Sequence, residues 1–537
     1  MSLVLAALAA TQAAAPPPGQ TPLIVDQGRA DRQPVTSPPP APAPRVTGEQ
    51  GAPPRIEASG SGEPIRQILF QGVKVPAVVA AAARGFVGLP ATRATLGRLA
   101  AAMSAAYARS AVALYTVVVP DQDLAGGTLR VIVAEGFIER VDFTGGATPL
   151  LRAYAARLAA ERPLTRRSLE RYLSLMRDVP GETIDARLLR GTRPGGVLLQ
   201  IAAHRKRAEA AFGYDNQGAG TLGTSELSAG LHLYSSLRDG DRTDLTGLVS
   251  PDFHRLRYFA ATHATPISGD GITLSFSGGY LVTRPRHSVV DGDARTFGIS
   301  ASYPIIRGYK RNLTGSLGVD GIDSDAAAFG SLFSSDHTRA LRGALGYSFV
   351  AQKSAFTAGA TLSRGLDVLA ARGTPDFTDT VFTKLNGRVT YDRQLGKRLF
   401  VHLRAAAQYS RDRLAAAERF AVGGADFGRA FDQAVLTGDR GYAGSAELAV
   451  RPALPKALAG TEIYGFVDGA RVHLVSRLPY AYGASYDLAS AGGGVRLAYT
   501  KHASIGLEAA RAINEPYPGY DEKWRVNLAW RLSLGDH

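Results

Sequence analysis

Residues 524–534 read Trp-Arg-Val-Asn-Leu-Ala-Trp-Arg-Leu-Ser-Leu. Trp524, Val526, Leu528, Trp530, Leu532 and Leu534 take every second position, with Arg525, Asn527, Arg531 and Ser533 among the residues between them. Successive side chains of a strand point to opposite faces, so this segment has one apolar face and one that carries two guanidiniums. Roughly ten residues of a tilted strand cross a bilayer, with aromatics at the headgroup level and a polar interior behind. The pattern predicts the closing strand of an outer-membrane barrel.

The alternation extends far upstream. From Glu209 to His537, 329 residues show no helical period and divide into about sixteen alternating segments, the allowance an even-numbered bacterial barrel needs. Ile272, Leu274 and Phe276 alternate with Thr273, Ser275 and Ser277. Leu385, Gly387, Val389 and Tyr391 alternate with Lys384, Asn386, Arg388 and Thr390, and Leu399, Val401 and Leu403 with His402 and Arg404. Turn signals at Leu237-Arg238-Asp239-Gly240 and Ser268-Gly269-Asp270-Gly271 suit short hairpins. Closure satisfies every backbone group, which an open sheet in lipid cannot do. A β-propeller or long sandwich is the soluble competitor, but the per-blade repeats it requires are not found.

Upstream the period changes. Ile68-Leu69-Phe70 reads as a strand closed by Gly72, followed by helices at 77–84 and 92–109. The second helix has Leu96, Leu99, Met103 and Tyr107 on one face and Thr92 as N-cap. Strands at 114–119 and 128–133 follow, split by Ala125-Gly126-Gly127. The order then recurs: a strand at 137–143 ending at Gly145-Gly146, helices at 150–159 and 164–177, and strands at 183–189 and 197–202. Leu169, Leu173 and Met176 form the stripe of the last helix. Two β-α-α-β-β units at equal spacing read as a structural repeat rather than one α+β domain.

Before them, residues 16–62 are rich in Pro, Ala, Gly and Ser, and predict an extended, mobile linker. Within it, Leu23-Ile24-Val25-Asp26-Gln27 is short and apolar enough to meet a partner or enter a lumen. Residues 1–15, an apolar run with small residues after it, read as an export signal lacking the usual positive start. A disordered Ala-rich tail is the other reading. The expected domains are therefore 1–15 signal, 16–62 linker, 63–135 and 136–206 small units, and 207–537 barrel.

Composition changes this picture little. Mean hydropathy is −0.04, and no interior run of eighteen apolar residues offers a spanning helix. The 61 Lys+Arg against 47 Asp+Glu give a net charge of +14 that is spread through both halves. Nucleic-acid binders gather such charge into patches with interleaved aromatics, so none is expected as partner. Cys 0 excludes disulfides and thiolate metal sites. The ten histidines show no i,i+4 pairing and no neighbouring acid at ligand spacing, so neither metal nor cofactor is expected. Gly492-Gly493-Gly494 lies on a strand and reads as close packing or bending. Arg307-Gly308-Tyr309 sits in a hairpin. No nucleophile or general-base arrangement is present, so an enzyme is not expected.

One stretch of the barrel half breaks the alternation. It runs from Glu418-Arg419-Phe420 through Gly423-Gly424, Asp426-Phe427-Gly428-Arg429-Ala430-Phe431-Asp432 and Leu436-Thr437-Gly438-Asp439-Arg440-Gly441. Glycines permit tight backbone paths, and Phe420, Phe427 and Phe431 give the loop something to bury. Such a loop, 418–441, can fold back into the lumen.

These features together resemble the transporters of two-partner secretion (the TpsB, haemolysin-activator type) of the POTRA-barrel superfamily, over residues 65 to the C-terminus. The paired units look like tandem POTRA domains. The loop matches E-R-F-x-x-G-G at Glu418, Arg419, Phe420, Gly423 and Gly424, and L-x-G-D-R-G at Leu436, Gly438, Asp439, Arg440 and Gly441. Its R-G-F/Y core reads Arg429-Ala430-Phe431, with alanine for the usual glycine. The F-x-D-x-G strand motif is met by Phe466 and Asp468, with Gly469 one place early. With Ile463 and Val467 facing lipid, parity turns Asp468 inward. The resemblance implies that Asp468 holds Arg429 by a charge-assisted contact, with scope for a bidentate one. Without that motif, Asp468 is one more solvated lumen acid and Arg429 a surface loop arginine.

The resemblance further implies a monomeric sixteen-stranded antiparallel outer-membrane barrel behind two periplasmic α+β POTRA domains. It implies an unfolded secreted TpsA-like exoprotein, of haemolysin or adhesin type, as partner, with outer-membrane lipid around the barrel. An insertase of the same superfamily is the nearest rival; two units and a Pro-rich linker favour secretion. A passive porin ranks lower, since it needs no tandem units.

Overall fold

In a computed structural model of the chain, residues 45–46, 54–220, 222–285, 290–328, 331–477, 482–500 and 502–535 are described. The expected export signal, the Leu23–Gln27 segment and most of the linker lie outside them. The chain divides into two compact units, the first built on Ala41–Arg205 and the second on the barrel that follows.

The first unit holds two copies of one topology. In the first copy, β1 (Gln67–Gln71) leads to α1 (Ala77–Arg84), α2 (Arg93–Arg109), β2 (Tyr115–Val119) and β3 (Thr128–Glu135). In the second, β4 (Phe137–Gly145) leads to α3 (Pro149–Ala160), α4 (Arg166–Asp178), β5 (Glu182–Arg190) and β6 (Gly196–Arg205). In both, the last strand lies in the middle, antiparallel to the one before it and parallel to the first. Both first strands end on a left-handed glycine pressed to the third strand: a Cβ on Gly72 would lie 2.3 Å from the Val133 carbonyl oxygen, and one on Gly145 2.3 Å from that of Ala203. Only glycine tolerates that contact and that φ.

The apolar stripes read from the sequence are the cores. Leu96, Leu99, Met103 and Tyr107 are fully buried over the first sheet, and Leu169, Leu173 and Met176 are buried over the second. Three of the four helices start on a threonine whose hydroxyl accepts a backbone N–H: Thr92 from Thr95, Thr148 from Leu151 and Thr165 from Ser168, each at 3.2 Å. Each cap is worth about 1 kcal/mol.

The end of the expected linker is structured instead of mobile. Arg55–Ile56 pairs parallel with β2, and Gly60–Pro64 antiparallel with Pro90–Thr92. Ala58 is fully buried in the first core. Further back, Arg45–Val46 pairs parallel with β5. These pieces are short, so their order comes from backbone bonds to a neighbouring sheet, which composition does not register.

The second unit is a closed barrel of sixteen strands, running from Ala208–Asp215 to Trp524–Gly535, which pair antiparallel to seal it. Its outward face is apolar: Trp524, Val526 and Leu534 are more than half exposed, while Asn527 and Ala529 between them are buried. Leu385, Val389 and Leu403 also face out, as their parity predicts. The Arg307-Gly308-Tyr309 tripeptide forms the expected hairpin between Val290–Arg307 and Arg311–Ala328.

Candidate functional site

The long connection between the eleventh barrel strand (Leu399–Ser410) and the twelfth (Arg440–Val450) lies inside the barrel. It makes a two-stranded hairpin, with Phe420 opposite Gly438 and Val422 opposite Leu436. Gly423, Gly424 and Gly428 have φ of +107°, +90° and +87°, and a Cβ on Gly423 would sit 2.2 Å from the Asp432 carbonyl oxygen. The turn is thus built for glycine there. Ala430 does not have positive φ and is fully buried, so an alanine fits where the resemblance has glycine.

Phe420, Val422, Phe427, Ala430, Phe431 and Leu436 form one buried cluster with wall residues that include Tyr464, Phe466, Val472 and Leu488. Burying each phenylalanine contributes roughly 1.5–3 kcal/mol. Gly492, opposite Phe466 in register, leaves room for that ring: a Cβ there would be 2.9 Å from Phe466 Cε1. The glycine run is therefore close packing, as read.

Arg429 sits at the loop tip, 5% exposed. Its Nη1 donates to Glu447 Oε2 and Glu508 Oε2, both at 3.0 Å, and its guanidinium stacks on Phe466, 4.1 Å from the ring centroid. Asp468 stands 3.7 Å from Arg429 Nε, too long for a hydrogen bond. Instead Asp468 accepts the backbone N–H of Gly428 at 2.9 Å and of Arg429 at 3.4 Å, and the Ser490 hydroxyl at 2.6 Å. Arg429 and Asp468 are thus an ion pair at 3.7 Å without the bidentate bond, and the holding divides into two roles. Asp468 holds the loop backbone, and Glu447 with Glu508 holds the guanidinium. The last strand joins in: Asn527 Nδ2 donates to the Arg429 carbonyl at 3.1 Å, and Arg525 pairs with Asp432 at 2.6 Å.

A second anchor holds the start of the loop to other strands. Glu418 is fully buried, with Oε1 2.8 Å from Arg342 Nη2 and Oε2 2.5 Å from Lys384 Nζ. Arg342 also grips Asp320 through two bonds of 2.6 and 2.8 Å. Two acids and two bases thus alternate, all four buried, and removing one leaves another uncompensated. A third contact ties the exit: Asp439 takes a two-pronged bond from Arg477 at 2.8 and 2.9 Å and accepts the N–H of Leu414 and Val475. Arg429 contacts strands twelve, thirteen, fifteen and sixteen, and Glu418 contacts strands eight, ten and eleven, so the loop bridges the lumen.

Of the residues singled out in the sequence, Arg429, Phe431, Phe466 and Asp468 come together at the tip. Glu418, Phe420, Gly423, Gly424, Gly438 and Asp439 frame the loop. Arg419 turns back to its own segment, donating to the Leu414 carbonyl at 3.1 Å. Gly441 packs against Phe420, whereas Arg440 faces outward beside Tyr409. Missed from the sequence were Glu447, Glu508, Arg342, Lys384 and Arg477. An ionisable residue at lumen parity in a spanning strand was the available signal for the first four.

The histidines also differ from expectation, because acids face them across strands. His232 pairs with Asp244 at 2.5 Å and His402 with Asp392 at 2.6 Å. Ligand atoms of His402, Glu447 and Glu462 lie within 4.8 Å of one another. Arg496, Arg451 and Arg429 take up those two glutamates at 2.7 to 3.0 Å, so the cluster is an ion-pair network.

Residues 197–497 match the family described as haemolysin secretion/activation protein ShlB/FhaC/HecB. The chain belongs to this family. Its members are outer-membrane transporters of two-partner secretion, and residues 64–136 match the ShlB-type POTRA domain. Among curated proteins, the outer membrane transporter CdiB of Escherichia coli is 25% identical over 464 residues, covering 81% of this chain and 75% of the relative. The CdiB of Escherichia coli O6:K15:H31 (strain 536 / UPEC) is 24% identical over 445 residues, covering 77% and 72%. Among solved structures, CdiB from Escherichia coli superposes with a TM-score of 0.74 at 21% identity, covering 88% of this chain and 90% of that one. BamA from Haemophilus ducreyi lacking POTRA domains 1–3 gives 0.51 at 13% identity, covering 88% and 100%. At those identities the two structures speak to the fold alone.

Proposed function

We propose that this transporter of the ShlB/FhaC/HecB family carries an unfolded TpsA-like exoprotein, of haemolysin or adhesin type, from the periplasm to the cell surface. In this reading residues 1–15 direct export, 16–62 link, 63–135 and 136–206 are two periplasmic POTRA domains, and 207–537 is a monomeric pore. The N-terminal domains receive the client as an extended chain, at a sheet edge or helix–strand groove. The observation that carries the reading is a loop tied across the lumen of a closed barrel by buried ion pairs. At rest the loop occupies the conduit, and translocation requires it to leave.

Buried charge pairs suit such a latch. They hold strongly while both partners are present, yet water entering the lumen with a client offsets much of the desolvation cost on release. The lumen wall then offers scattered arginines and hydroxyls to the passing chain, and folding of the client outside biases the direction. The test is secretion by Arg429→Ala and Asp468→Ala variants co-expressed with the client. Both should secrete less while the barrel still inserts and resists heat in gel migration. Secretion at wild-type level in both would overturn the latch.

A further inference from the structure

The outer face of the barrel carries a basic groove that the loop does not use. The strand register sets Ala360, Gly387, Ala407, Tyr442 and Arg471 in one row across the ninth to thirteenth strands. The row above holds Leu385 and Tyr409, then Arg440 and His473. Leu385, Tyr409 and Tyr442 are each about half exposed or more, which fixes both rows as outward-facing. Where Ala360, Gly387 and Ala407 stand side by side, a groove of about 550 Å³ opens between the larger side chains.

Three arginines border it: Arg440 and Arg471 line the groove, and Arg411 reaches it over Tyr409. Arg411 donates from Nε to the Tyr409 hydroxyl at 3.0 Å, and Arg440 lines the groove beside that tyrosine. Arg471 closes the far side of the groove. Among the described residues no carboxylate oxygen comes within the 4.0 Å of an ion pair with any of the three. Asp487, opposite Arg471 in register, is bonded to Asn514 at 2.8 Å. Arginines on the lipid side of a barrel are costly near the midplane and tolerable only near the interface, where long side chains reach headgroups. These three sit at that level, at or near the ends of their strands: strand eleven ends at Ser410, strand twelve starts at Arg440 and strand thirteen ends at Leu474. The arrangement pairs a trough of about 550 Å³ with three bordering guanidiniums, planar multidentate donors that match phosphate.

We propose that this groove binds a phosphorylated acyl lipid of the surrounding leaflet, its phosphate against Arg411, Arg440 and Arg471 and one acyl chain over Ala360, Gly387 and Ala407. The site is independent of the lumenal latch. Native mass spectrometry of the full-length chain, released from detergent with diphosphoryl lipid A, with the same lipid dephosphorylated, or with phosphatidylcholine, tests it. The wild-type chain should retain the diphosphoryl lipid, and an excess of inorganic phosphate should not displace it. The R411Q/R471Q variant should bind it about thirtyfold more weakly, from the loss of two interfacial arginines. Ala407→Trp, which fills the trough and keeps all three arginines, should bind weakly too. Equal retention of the phosphorylated and dephosphorylated lipids by the wild-type chain would overturn the proposal, and so would displacement by inorganic phosphate alone, which would mark a free-anion site. Both of those outcomes are read on the wild-type chain, so the test stands even where a variant fails to fold.

Discussion

Removing the Arg429 guanidinium should loosen the loop while leaving the barrel closed. In Arg429→Ala, Glu447 and Glu508 lose a shared cation and Phe466 loses its stacked partner. Breaking a buried pair costs about 3–5 kcal/mol. Two compensations favour the low end: Arg496 still grips Glu447 through two bonds of 2.7 Å, and Glu508 keeps Tyr464 at 2.9 Å and Asn527 at 3.1 Å. A loss of about 3 kcal/mol raises the undocked fraction of the loop roughly a hundredfold. Hydrogen exchange of amides 420–438 in detergent reads that fraction directly, since protection there depends on the docked state. Their exchange should quicken by that factor, with the amides of the closing strand pair unchanged. Arg429→Lys keeps the charge but not the fork and should fall between. Exchange in the loop equal to wild type would refute the assignment of Arg429 as its anchor.

Other consequences follow from the remaining contacts. Glu418→Gln leaves Arg342 and Lys384 facing a neutral amide and should weaken the loop's first anchor by about 3 kcal/mol; exchange at 416–422 should rise more than at 427–431. Phe431→Ala, emptying a fully buried site beside Tyr520, should cost about 3–5 kcal/mol of docked-loop stability, read as increased protease cleavage within 418–441. In the N-terminal unit, the Glu139 carboxylate is held down to about 2 by bonds from the Thr192 hydroxyl and from the Arg193 backbone N–H. A depressed carboxylate stabilises the fold fully above its ordinary value near 4.5, and that contribution disappears as pH falls from there toward about 2. Unfolding of that unit should therefore shift little from pH 7 to about 5 on this group's account and then drop, with the drop reduced in Glu139→Gln.

Which features were readable from sequence depended on the range of the forces behind them. Trp524 to Leu534 declares a barrel because lipid on one side and water on the other impose a period of two. The stripe Leu96, Leu99, Met103 and Tyr107 declares its helix for the same local reason. The loop stood out by breaking the alternation. The partners of Arg429 did not, because Glu447 and Glu508 meet it only through strand register and the fold-back of the tip, and neither is written in local spacing. His402 beside Asp392 was hidden likewise: ten positions apart in sequence, they are direct neighbours across a hairpin. At Arg55–Pro64 the opposite error arose, where the end of a segment read as a linker from the composition of 16–62 borrows its order from the strands it pairs with.

Secretion itself is the most direct measurement of the central claim. The full chain, co-expressed with a neighbouring exported exoprotein, should release that protein into the medium, and its deletion should leave the exoprotein in the periplasm with other outer-membrane barrels at normal levels. Exoprotein in the medium without the chain would contradict the account. So would a fall in other barrels on deletion, which would point to an insertase.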